Sequence, residues 1–68
     1  MGMPEFQVGD RVRLRARIEI VPAGAIGTVL RVFSTISDMY EVQFEGFLRP
    51  YLVYGRDLQA LDDAPPPP

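Results

Sequence analysis

The sequence predicts an all-β domain, a small five-stranded antiparallel barrel with one 3₁₀ turn before its last strand. Three observations carry this expectation. Polar and apolar residues alternate from Asp10 to Ile18 and again from Met39 to Glu45, the period-two pattern of a half-buried strand. Strand-like runs recur at a spacing of roughly ten residues between turns that contain Gly or Pro. No segment carries a sustained 3.6-residue apolar period, so no long helix is expected.

The first strand is expected to span Asp10 to Ile18. From Arg11 onward every odd position is Arg and every even one apolar, an arrangement that a helix would scatter around its circumference. Val8-Gly9-Asp10 reads as the turn entering this strand and Pro22-Ala23-Gly24 as the turn leaving it. The second strand, Ala25 to Phe33, is β-branched and mostly apolar, with Gly27 inside it. A glycine within a strand marks a bulge or a close backbone approach. Val29 and Val32 cannot share one face of a regular strand, so a bulge between them is expected to reset the register. After the polar loop Ser34 to Asp38, the third strand turns Tyr40, Val42 and Phe44 inward and Glu41, Gln43 and Glu45 outward. Gly46 closes it, and Leu48 to Tyr54 makes the fourth. Pro50 removes a ladder donor, which puts that strand at an edge or makes its first half irregular. Gly55-Arg56-Asp57-Leu58 reads as a single helical turn and Gln59-Ala60-Leu61 as the closing strand.

Taken together, Val8-Gly9-Asp10-Arg11-Val12-Arg13-Leu14, Gly27-Thr28-Val29, Tyr40-Glu41-Val42-Gln43-Phe44 and Asp57-Leu58 with Leu61 resemble the SH3-like small β-barrel superfamily over residues 6–61. KOW modules, the nitrile hydratase beta subunit, electron-transport accessory subunits and type II dihydrofolate reductases share this pattern. The resemblance therefore implies a fold more than a task. Among these groups only the type II reductases would make the chain an oligomeric enzyme by itself. Their pore motif, Val-Gln-Ile-Tyr, falls on Tyr51-Leu52-Val53-Tyr54, so Leu52 stands where that family has its functional Gln amide. A KOW-like resemblance would imply nucleic-acid binding, and Gly24-Ala25-Ile26-Gly27 has the spacing of the KOW turn without its flanking basic residues.

Composition narrows the chemistry further. With 68 residues the chain suits one small domain near the lower size limit for independent folding. It contains no His, Cys, Lys, Trp or Asn, which excludes a disulfide, a thiolate nucleophile, an imidazole base, a lysine Schiff base and a His- or Cys-bound zinc. No cofactor and no metal are expected. The N-terminus lacks the basic-then-apolar pattern of a signal peptide, and no apolar run is long enough to cross a bilayer, so a cytoplasmic location without membrane contact is expected. Residues 1–5 are read as a flexible N-terminus and 62–68 as a disordered Pro-rich tail, which formally contains P-x-x-P. The formal net charge is −2, from seven Arg against nine Asp and Glu, two of which are Asp62 and Asp63. The body is therefore neutral, which argues against a globally basic nucleic-acid binder.

Two surfaces stand out as candidate partner-binding sites. Arg11, Arg13, Arg15 and Arg17 would form a stripe along one strand face, suited to phosphates or an acidic protein because the guanidinium fork matches both. The alternative is a solvated face balanced by Glu41 and Glu45. The second surface comprises Phe47, Tyr51, Leu52 and Tyr54, beside Leu48. Tyr51 and Leu52 point to opposite sides of a strand, so both sides are apolar, and either a partner or the loop 46–50 must cover the second. Asp10, Asp38 and Asp57 sit beside turns and read as backbone-bonding residues. The expected function is a small non-enzymatic binding module engaging a protein partner or a second copy of itself.

Overall fold

The computed structural model describes residues 5–33 and 38–61. The expectations for residues 1–4, for most of the polar loop and for the Pro-rich tail fall outside them. Five strands form one antiparallel sheet: β1 (Arg11–Leu14), β2 (Ile26–Phe33), β3 (Met39–Phe44), β4 (Tyr51–Tyr54) and β5 (Leu58–Ala60), with a 3₁₀ turn at Gly55–Asp57. No α-helix occurs among the described residues.

The strand order is β4-β3-β2-β1-β5, so strands joined by only the 3₁₀ turn lie at opposite edges of the sheet. Five flat strands would separate those edges by about 19 Å, whereas the four Cα steps from Tyr54 to Leu58 reach at most about 14 Å. The sheet must therefore curl. It does not close, which corrects the expectation of a complete barrel: no ladder joins β4 to β5 among the described residues. The backbone of the turn is engaged elsewhere. Gly55 donates its N–H to the Asp38 carbonyl at 2.7 Å, and the Asp57 carbonyl accepts the Arg15 N–H at 2.7 Å.

One face of the curled sheet forms the core. Val12, Leu14, Val29, Tyr40, Val42, Phe44, Val53 and Leu58 are buried there, joined by Phe6 and Val21 from outside the strands. Tyr40, Val42 and Phe44 occupy the inward positions assigned to them by alternation. The bulge in β2 is also present: Val29 pairs with Val42 and Arg31 with Glu41, so the register shifts between them and Val32 falls opposite Tyr40. Gly27 lies in regular pairing with Val12 and Phe44; its role is close backbone approach.

The first strand is shorter than the alternation suggests. β1 ends at Leu14: the Arg15 N–H still bonds to the Asp57 carbonyl on the β5 side, but on the other side β2 begins only at Ile26, and the chain before it turns at residues 22–25. Beyond a bend, Ile18 and Val21 exchange both backbone hydrogen bonds, at 3.0 and 2.8 Å, around a two-residue turn in which Glu19 has φ of 50°. In the fourth strand, the half containing Pro50 is irregular as expected and only Tyr51–Tyr54 pairs with β3.

Candidate binding surface along the fourth strand

β4 lies at a sheet edge, with Tyr51 and Val53 turned to the core and Leu52 and Tyr54 turned outward. The residues of the second candidate surface therefore separate. Tyr51 is 7% exposed, and the half-buried Phe47 meets it edge-on with ring centroids 6.3 Å apart. Phe47 thus covers the inward side, while the outward side keeps Leu52 at 58% and Tyr54 at 42% exposure. Just upstream, Leu48 is fully exposed.

Neighbouring strands extend this outer face. Met39 pairs with Tyr54 on one side and with Phe33 on the other, giving an apolar row across β4, β3 and β2. Leu52 lies opposite Glu41, which pairs in turn with Arg31 at 3.6 Å. Three guanidinium groups rest on aromatic rings: Arg31 on Phe33 at 5.2 Å, Arg49 on Tyr51 at 4.9 Å and Arg56 on Tyr54 at 4.9 Å. Such stacking holds a long side chain in place while leaving hydrogen-bonding edges free.

The Gln43 amide organises the approach to β4. It donates to the Phe47 carbonyl at 2.6 Å and lies 3.3 Å from the Phe44 carbonyl and 3.5 Å from that of Arg49. These carbonyls lie along the connection from β3 to β4, and that of Phe44 also accepts the Phe47 N–H at 3.2 Å. An outward Gln in an alternating strand followed by a Gly-containing loop is the available signal, but alternation alone marks it only as outward.

The arginine stripe does not persist as a straight row. Arg11 and Arg13 stand on the outer side of β1, whereas Arg15 and Arg17 leave the strand after Leu14. Arg11 forms an ion pair with Glu45 across the intervening β2, in line with the balancing role considered for that residue. Glu41 serves Arg31 instead. Arg13, Arg15 and Arg17 have no carboxylate within salt-bridge reach among the described residues. Both partners of the Arg11–Glu45 pair are well exposed, so Glu45→Ala is expected to change stability by less than about 1 kcal/mol. Urea unfolding checks this, and a larger loss would mean that the pair holds the β1 and β3 ends together.

No helix of the described residues is long and apolar enough to cross a membrane. The chain matches no family model, no curated protein and no solved structure.

Proposed function

We propose that the chain is a small protein-binding module whose contact surface runs along β4. One observation carries this: Leu48, Leu52 and Tyr54, three of the large apolar side chains exposed to solvent, fall within seven consecutive residues at a sheet edge. Scattered apolar residues are normal on a protein surface, but three so close in sequence, beside arginines and aromatics, have the composition of an interface centre. The five strands and the 3₁₀ turn before the last support keeping the chain with the SH3-like barrels. Its open β4 edge departs from full closure. The absence of Cys suits a cytoplasmic setting. A reductase reading would require an amide where Leu52 stands, and a nucleic-acid reading would require a net positive body, whereas the seven arginines of residues 1–61 are balanced by seven acids.

The test places a photoreactive amino acid at position 52 or, as control, at the exposed Gln59 on β5. Irradiation in cells is expected to give a discrete protein adduct from position 52 and little or none from position 59. Equal labelling from both, or none from position 52, would remove the assignment of this surface.

A further inference from the structure

Resting on the protein-binding reading above, we propose that the free edge of β4 takes up an extended segment of a partner protein, with an apolar centre and an acidic residue near each end. Among the described residues β4 bonds only to β3, so the main-chain groups along its other side are not used within the described sheet. Such an edge is a template for strand addition: the main chain supplies hydrogen bonds and alternate side chains supply selectivity. Pro50 and the four-residue length of β4 limit the template to a short segment.

Charge selects the segment. Residues 46–56 contain two arginines and no acid, and those arginines bracket the strand, Arg49 just before it and Arg56 just after. Each lies 4.9 Å from the centroid of a β4 tyrosine, which pins it at one end of the edge. Among the described residues Arg56 has no carboxylate in reach, and Arg49 meets only Glu19, at 3.9 Å. A carboxylate at either end of an incoming strand would find a guanidinium already positioned, and Leu52 and Tyr54 offer apolar contact between them.

A second copy of β4 is the competing occupant: with Leu52 opposite Tyr54, the residues whose main-chain groups face away from β3, it would meet this edge without setting Arg49 opposite Arg56, and the oligomeric state separates the two cases.

A display library of random octapeptides tests the proposal. Selection on the unmodified protein is expected to enrich sequences with Asp or Glu near both ends around a β-branched centre. The R49E/R56E protein changes only exposed side chains, and its fold is checked by circular dichroism. It should enrich Lys and Arg at those positions and bind the original peptides at least about tenfold more weakly. Peptide contact should shift the amide resonances of Leu52 to Tyr54. No enrichment, a Pro-rich or uncharged consensus, the same consensus on both proteins, or shifts confined to β5 would each overturn the proposal. So would a dimer seen by sedimentation at micromolar concentration that R49E/R56E dissolves, since the occupant would then be a second copy. An adduct from position 52 without an acid-flanked consensus leaves the module reading standing and removes strand addition; absence of both removes the two together.

Discussion

Replacing Gly27 with alanine is expected to destabilise the protein by about 2–4 kcal/mol. A Cβ at Gly27 would lie 2.7 Å from the Gln43 carbonyl oxygen, 2.7 Å from a Val42 methyl and 3.0 Å from the Phe44 ring. The first of these is backbone, so relief requires β2 and β3 to move apart in the middle of the sheet. β3 cannot yield cheaply, because Val42 and Phe44 are fully buried on the inner face. A domain of this size has a total stability of only ~3–5 kcal/mol, so G27A should leave much of the protein unfolded near room temperature. Gly46→Ala is the control. Gly46 has φ of 88° with nothing near its missing Cβ, so alanine there meets only backbone strain of about 1–2 kcal/mol. Thermal or urea unfolding of the two variants separates the causes; a loss at Gly27 no larger than that at Gly46 would refute the steric account.

That close approach explains why some of the fold is legible in the sequence. A glycine between β-branched residues and an apolar spacing of three at Val29 and Val32 are local signals, and both have their structural counterpart in β2. Alternation in β3 is equally direct, because burial of every second side chain is what the pattern encodes. The length of β1 is not encoded this way. Arginine and apolar residues continue to alternate past Leu14, but the strand ends where its neighbour β2, beginning only at Ile26 after the turn at residues 22–25, no longer runs beside it, a limit set by another part of the chain. That the sheet stays open is likewise a tertiary outcome, since the Gly55–Asp57 turn bonds to Asp38 on one side and to Arg15 on the other.

The candidate site divides along the same line. Parity alone separates Leu52 and Tyr54 from Tyr51, since adjacent residues of a strand face opposite sides. It does not show that Phe47 folds inward onto Tyr51, because Phe47 lies in a loop held by the Gln43 amide. Nor does it mark Arg56, which reaches the Tyr54 ring only because a 3₁₀ turn follows β4. The four-arginine stripe is the reverse case: the most prominent sequence pattern yields two residues on a strand and two beyond it, while the arginines that frame the exposed apolar edge are isolated in sequence.

Tyr40→Phe is expected to cost about 1–3 kcal/mol at neutral pH and to remove a loss of stability at alkaline pH. The Tyr40 hydroxyl accepts hydrogen bonds from the Glu5 N–H at 2.9 Å and the Phe6 N–H at 3.3 Å, and it donates to Asp38 at 2.9 Å. It thereby secures the segment that delivers Phe6 to the core, where the two rings meet edge-on with centroids 5.3 Å apart. Without the hydroxyl, the Phe6 N–H loses its partner inside the protein while the ring contact survives, so the variant should remain folded but weaker. Burial raises the Tyr40 pKa above its ordinary value, a shift opposed by the Phe6 N–H and reinforced by the hydrogen bond to Asp38. In the unfolded chain the phenol ionises near ~10; in the native state it holds its proton to higher pH. Above about 10 the unfolded state therefore binds fewer protons than the native one, and stability falls as pH rises until Tyr40 ionises in the fold. The chain contains neither Lys nor Cys, so no ammonium or thiol side chain overlaps this interval. Urea midpoints measured from pH 8 to 11.5 should decline more steeply for the unmodified protein than for Y40F, and parallel curves would show that the buried hydroxyl is not the group whose ionisation weakens the fold.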